Sequence, residues 1–237
     1  FPMNMIRIHC KDGSLSFFGN QAFLKSSPLI SQRRADILSK SGCGLVSMGD
    51  FLLLLTKNSL LPETPLTEKV SFIKNDKIEE KEYLSFLLLL YRIYLPVFPK
   101  IGVQSYMLSH AINHYAENYN LLLHTHWETS QTALLKALER LLKEGLPAIV
   151  GIGQNFPNPF AGHSIPFYSF KNGDFIPFDR LCSHYLLFLG DQIVSPKGHF
   201  LHAASWGKEG YFCLEEFLQY NRRYSGFWCG NIMSYSL

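Results

Sequence analysis

Apolar residues recur at helical spacing in the first part of the chain. Between Val46 and Leu55 they follow this spacing without a proline, which predicts a helix over 43–57. Proline at position 96 and Gly145 mark the ends of two later apolar segments. Further helices are expected over 79–94, 104–118 and 130–144.

After Leu146 the pattern changes to short apolar runs separated by glycine, proline and asparagine, which is typical of strands. Helices followed by antiparallel strands indicate an α+β fold with segregated elements. We predict a single domain over 1–237 in which the N-terminal helices pack on the C-terminal sheet half, 146–237. Strands are expected over 146–152, 164–170, 184–190, 192–195, 199–205, 210–213 and 228–235, with a loop over 153–162 and a short helix over 214–221.

The segments between these elements carry weaker signals. Alternating apolar positions on either side of Asp12-Gly13 predict a small hairpin, followed by irregular chain up to residue 41. Residues 58–76 are rich in Pro, Thr, Lys and Glu and predict a surface connection with a short helix over 66–73.

Composition narrows the possible function classes. A charged fraction of 17% and an aromatic fraction of 14% indicate an ordered globular protein, because disordered chains have the opposite balance. The net charge of +3 comes without a basic run, so nucleic acid is not an expected partner. The apolar runs 51–55 and 86–90 are too short to cross a bilayer, so no membrane partner is expected either.

The five cysteines are an odd number at irregular spacing, which predicts neither a disulfide framework nor a cysteine-rich zinc site. Free thiols fit a reducing compartment, and no signal peptide is visible in the first eleven residues. We therefore expect a cytoplasmic protein. The sequence predicts neither its oligomeric state nor a cofactor.

Cys43 is the first candidate for chemistry, because it stands at the start of the predicted helix over 43–57. Gly42 and Gly44 flank it and allow a sharp turn and close approach of the backbone. Unpaired backbone N–H groups and the helix dipole at this position favour thiolate over thiol. The alternative is a buried structural cysteine, so the assignment depends on partners elsewhere in the chain.

Two histidines are candidates for a base acting on Cys43. His184 begins an apolar run that ends at Gly190, and an imidazole needs no metal to deprotonate a thiol. His163, in the sequence Gly162-His163 beside the predicted loop, is the rival. We prefer His184 because of the motif order described next.

The order of several motifs resembles the C39-like branch of papain-fold cysteine peptidases, over about residues 28 to 235. The resemblance lies in Gln32, Ser41-Gly42-Cys43-Gly44, Glu144-Gly145-Leu146-Pro147, His184-Tyr185, Gly190, Ser205-Trp206-Gly207 and Leu214-Glu215-Glu216-Phe217-Leu218. The resemblance implies a papain-like fold with Cys43 as nucleophile, His184 as general base and acid, and Gln32 as a donor to the oxyanion. It also implies hydrolysis of a peptide or small amide through an acyl-enzyme, or acyl transfer from an amide or thioester.

The sequence departs from this pattern at one position. Papain-like enzymes orient the histidine with an Asn or Asp just before Ser-Trp-Gly, and this chain has Ala204 there. Ser205 is a weak substitute, and His202 lies two residues before Ala204 on the same strand face. A catalytically inactive binding protein on the same fold is therefore the alternative function.

A second set of histidines has the spacing of possible metal ligands. His110 and His114 are four residues apart on the helix predicted over 104–118, with His124 and His126 beyond it, and such a pair can bind a metal. The intervening residues lack the glutamate of a His-Glu-x-x-His motif. We expect ordinary surface histidines and no metal.

Overall fold

The structure, a computed structural model, describes residues 3–70 and 77–237. Within them, contacts divide the chain into two compact units. The sheet unit consists of Trp127–Ser205 and Glu209–Ser234. The helical unit contains the described residues up to His126, together with Trp206–Lys208 and Tyr235–Leu237. The expectation of a single domain remains a prediction.

The helices agree with the sequence pattern except near the N-terminus, where one forms in a segment expected to be irregular. The helix predicted over 66–73 lies partly outside the described residues, and residues 66–70 form turns. A 3-10 helix, Gln21–Ser26, and a π-helical turn, Asn221–Ser225, complete the set. The α-helices are α1 Gln32–Ser41, α2 Cys43–Lys57, α3 Glu80–Ile93, α4 Ser105–Asn118, α5 Gln131–Glu144 and α6 Leu214–Tyr220.

The strands form a small sheet and a large sheet, so the chain is a mixed α/β protein of the α+β type. The small sheet has the order β2-β1-β3, and the large sheet has the order β4-β11-β5-β8-β9-β10-β6-β7. The strands are β1 Arg7–His9, β2 Leu15–Phe17, β3 Lys77–Glu79, β4 His124–Trp127, β5 Ala148–Ile152, β6 Ile165–Lys171, β7 Asp174–Leu181, β8 His184–Ser195, β9 Gly198–Ser205, β10 Lys208–Cys213 and β11 Asn231–Ser236.

Helix α2 is the centre of the helical unit, where all residues from Gly44 to Thr56 are buried. It packs against α3 and α4. Gly49 allows the close approach of α3, because a Cβ there would lie 2.4 Å from Leu87 Cδ2. Among the described helices none alone is long and apolar enough to cross a bilayer; α1 and α2 reach that length and hydropathy only as a pair bent by 75°.

The sheet unit is built on long antiparallel pairings. β5 pairs with β8 so that Ile152 lies opposite His184, and β8 pairs with β9. Where two strands were expected over 184–195, β8 is continuous, with an irregular register between Phe188 and Gln192. Helix α5 packs on β8 and α6 on β9.

A buried histidine joins three strands of this sheet. His202 on β9 lies with Nδ1 2.7 Å from Asp191 Oδ1 on β8 and Nε2 2.8 Å from Glu209 Oε1 on β10. Its ring stacks on Tyr211 at a centroid distance of 4.8 Å. Burial alone would lower the pKa of His202, but the hydrogen bond and charge of Asp191 and the charge of Glu209 raise it above the ordinary value.

This raised pKa predicts a pH-dependent contribution to stability. The imidazolium stabilises the fold fully below the unfolded pKa of about 6.5, and its contribution is lost as pH rises through the folded pKa. We expect His202→Gln to lower the free energy of unfolding more at pH 6 than at pH 9, as measured by urea denaturation. His110→Gln, on the exposed face of α4, is the matched control. An equal loss at both pH values would show that the imidazolium is not the stabilising form.

Candidate active site

The residues expected to form a catalytic site are divided between the two units. Cys43 and Gln32 belong to the helical unit, whereas His184 and Ser205 belong to the sheet unit. The rival base His163 and the departure at Ala204 also belong to the sheet unit.

Cys43 is the first residue of α2 and is half-buried. Gly42 alone links α1 to α2, whose axes differ by 75°. A Cβ at Gly42 would lie 2.3 Å from the carbonyl oxygen of Leu38, so this sharp turn requires glycine. Because glycine has no side chain with which to cap α2, the first-turn N–H groups and the positive end of the dipole lie beside the thiol.

Gln32 is placed away from Cys43 within the same unit. It is exposed at the first residue of α1, and Cys43 comes just beyond Gly42, which follows the last. A ten-residue helix is about 15 Å long, so the two side chains start from opposite ends of α1. The Nε2 of Gln32 donates to Asp36 Oδ1 at 3.0 Å on its own helix. The structure therefore does not bring the expected oxyanion donor to the thiol, because the chain before Cys43 is helical rather than irregular.

His184 begins β8 and is buried. Its Nε2 lies 2.6 Å from the Oγ of Ser205, which is the last residue of β9 and is also buried. Burial lowers the pKa of His184 to about 3, because the surroundings disfavour the imidazolium. The sequence thus identified two side chains, 21 residues apart, that the structure brings together.

The contact with Ser205 bears on which ring nitrogen of His184 can act as a base. A neutral imidazole carries one proton, and the hydroxyl oxygen of serine can accept it. If Nε2 donates to Ser205, the lone pair lies on Nδ1, and Nδ1 is then the basic atom. This is the orienting role that an Asn or Asp side chain would otherwise fill.

Neither Ala204 nor His202 orients His184, and the rival base His163 lies at the surface. Ala204 is buried opposite Leu187 and offers no polar group. Both ring nitrogens of His202 are engaged by Asp191 and Glu209, so His202 does not orient His184. His163 is exposed, and its ring stacks on Tyr224 at a centroid distance of 3.8 Å.

The candidate metal ligands lie on the surface of the helical unit. His110 and His114 are exposed on α4, and the rings of His114 and Tyr94 form a T-shaped pair with centroids 5.4 Å apart. Across residues 3–70 and 77–237, no three His, Cys, Asp or Glu side chains are grouped as metal ligands would be.

Sequence reasoning missed a buried polar group on the helix that carries Cys43. Asp50 is 4% exposed and accepts hydrogen bonds from the O–H of Tyr83 and the N–H of Gly19. The signal in the sequence was a single charged residue inside the apolar segment from Leu45 to Leu55. Its partners lie about thirty residues away in either direction, and no local pattern points to them.

The lowered pKa of His184 predicts that its ring stays neutral over the ordinary pH range. We expect its Cε1–H resonance, assigned with a His184→Asn variant, to remain unshifted between pH 5 and 8 while added N-acetylhistidine titrates. The group adds stability above the unfolded pKa of about 6.5, and this contribution is lost as pH falls toward 3. A His184 midpoint between pH 5 and 8 would contradict the buried, neutral ring.

Comparison of the chain with protein-family models, with curated proteins and with solved structures finds no match. The similarity to C39-like peptidases therefore depends on the order of the motifs in the sequence. The geometry contributes two local arrangements: a thiol at a helix start that no N-cap side chain closes, and a buried histidine paired with a serine hydroxyl.

Proposed function

We propose that this chain is a papain-like cysteine hydrolase that cleaves a peptide or small amide or thioester, with Cys43 as nucleophile and His184 as base. The observation that carries the proposal is the 2.6 Å contact between His184 Nε2 and Ser205 Oγ in a buried setting. It supplies an orienting group for the imidazole where the sequence has alanine at position 204. The position of Cys43 at the start of α2 supports the role of nucleophile.

The proposed reaction has two steps through an acyl-enzyme. Cys43 Sγ attacks the carbonyl carbon of the substrate while its proton passes to His184. The bond to the leaving group breaks, the proton of His184 goes to that group, and a thioester remains on Cys43. Water then attacks the thioester and gives a proton to His184. The carbon–sulfur bond breaks, the acid is released, and the proton returns to the thiol.

Negative charge on the substrate oxygen needs a donor in both steps. Gln32 was the expected donor, but its amide bonds to Asp36 at the far end of α1. Backbone N–H groups in the first turn of α2 are the donors nearest to Cys43 in the chain, and they are aimed along the helix axis. The proposal therefore assigns the oxyanion to the start of α2 and does not use Gln32.

The neutral state of His184 determines how the thiol is activated. Because burial lowers its pKa to about 3, the resting pair is a thiol and a neutral imidazole, and the proton passes through the ring to the leaving group as attack proceeds and does not rest there. Such a reaction is nearly independent of pH over the range in which the imidazole stays neutral. An unassisted thiol instead reacts through its thiolate, whose amount falls about tenfold per pH unit below the thiol pKa.

This difference can be measured with p-nitrophenyl acetate, which should acetylate Cys43 with release of p-nitrophenol. We expect His184→Ala to slow acetylation about 100-fold at pH 7, the size of a general-base contribution. We also expect the ratio of wild-type to variant rates to grow as pH is lowered from 8 to 5. Intact-mass spectrometry with peptide mapping measures the acetyl group at Cys43, and its later loss measures hydrolysis.

The matched control is His163→Ala, which removes the exposed rival and should leave the rate unchanged. Cys43→Ser should abolish fast acetylation. If His163→Ala slows the reaction and His184→Ala does not, the base is His163. If neither variant matters, the hydrolase proposal fails, and the binding protein suggested by Ala204 is the better account.

Ser205 gives a second test of the same proposal. In the proposal Ser205 Oγ accepts the Nε2–H of His184, so removing the hydroxyl takes away the acceptor assigned to the tautomer with the basic Nδ1. We expect Ser205→Ala to lower the acetylation rate about tenfold, and Ser205→Thr, which keeps the hydroxyl, to restore most of it. An unchanged rate in Ser205→Ala would exclude an orienting role for the hydroxyl.

A further inference from the structure

The residue after Ser205 begins a tight turn between β9 and β10. Its two residues, Trp206 and Gly207, have φ values of 49° and 74°. Two positive φ values are typical of the type I′ turns that join antiparallel strands. A large side chain such as that of Trp206 costs roughly 1 kcal/mol or more in this region. The turn therefore needs support from its surroundings.

The N-terminal segment from Ser16 to Asn20 supplies that support within the helical unit. The N–H of Phe17 donates to Gly207 O at 2.9 Å, and the N–H of Gly207 donates to Gly19 O at 3.0 Å. The side chain of Asn20 donates to Trp206 O at 3.0 Å. Both backbone groups of Gly207 and the carbonyl of Trp206 are thus held by one short stretch of chain.

Asp50 holds this stretch in turn. Its carboxylate accepts the N–H of Gly19 at 3.0 and 3.2 Å, and the O–H of Tyr83 at 2.7 Å. Gly19 therefore bonds to Asp50 through its N–H and to Gly207 through its carbonyl. The fit is close, because a Cβ at Gly19 would overlap the hydroxyl of Tyr83.

Stability alone does not account for a carboxylate at this position. Burial raises the pKa of Asp50 to about 7, although the hydrogen bonds from Tyr83 and Gly19 act to lower it. Above that pH Asp50 is charged. The two donors offset part of the cost of removing this charge from water, and the rest of that cost opposes folding. An apolar side chain of similar volume would avoid this loss, as the leucines of the same helix do.

We propose that Asp50 is a positioning residue that, through Gly19 and the Trp206–Gly207 turn, holds Ser205 in place to orient His184. This role of Asp50 rests on the proposed function, because the proposed reaction needs an oriented imidazole at His184. The link consists of two hydrogen bonds, at Gly19 N–H and Gly207 N–H, and the peptide chain from Gly207 back to Ser205.

The test is the tautomer of His184, read from long-range ¹H–¹⁵N spectra of protein labelled at histidine. The Ser205→Ala variant gives the reference spectrum of a His184 ring that lacks the hydroxyl of Ser205. We expect Asp50→Leu, which keeps the branched outline of the aspartate side chain without its oxygens, to shift the His184 resonances toward that spectrum. Asp50→Asn keeps an acceptor oxygen for Gly19 and should restore the wild-type spectrum. The double variant Asp50→Leu with Ser205→Ala should shift no further than Ser205→Ala alone.

Tyr83→Phe is the matched control, because it removes the other partner of Asp50 and leaves the bond to Gly19. It should keep the wild-type spectrum. A wild-type His184 spectrum in Asp50→Leu, even with a lower melting temperature, would make Asp50 a purely structural residue and overturn the proposal. This readout needs no turnover, so failure of the hydrolase proposal in the acetylation assay remains separate from failure here.

Discussion

The complete burial of α2 is the constraint on which the helical unit depends. A helix enclosed on every side has no polar face, so its reactive and charged groups stand at its ends or meet specific partners. Cys43 and Lys57 occupy the two ends. Asp50 lies in the middle and is satisfied by Tyr83 and Gly19. Because α2 is buried on all sides, a thiol on this helix can be accessible only at one of its ends.

Burial acts on three titratable groups, and only one of them is driven toward its charged form. His184 meets a neutral hydroxyl, so the low dielectric keeps its ring uncharged. His202 is equally buried but lies between two carboxylates, whose charges outweigh the desolvation and favour the imidazolium. Asp50 meets neutral donors, and its carboxyl tends toward the protonated form. The nature of the partner, more than burial, decides whether a charge is kept.

Elements whose signal is local were predictable, and those that depend on distant packing were not. The bounds of α2 follow from its apolar run, and the end of α5 follows from Gly145, which adopts a left-handed conformation. Helix α1 was missed because only Ala35 and Leu38 are buried on it, and the helix packs against the 3-10 helix before it. The nearness of Ser205 to His184 was suggested by motif order. The hydrogen bond between Gly19 and Asp50 joins residues 31 apart, so no periodic pattern in the sequence indicates it.

The single-residue link at Gly42 has a consequence for how this chain can change over time. Two helices joined by a single residue cannot rotate independently about their axes. The number of residues in α1 and the link therefore determines which way the first side chains of α2 face. Inserting or deleting one residue between Leu38 and Cys43 would rotate the start of α2 by about 100° relative to α1. The thiol would then face another direction, or the buried face of one helix would turn to water. We therefore expect α1 to tolerate substitutions on its exposed face but not insertions or deletions.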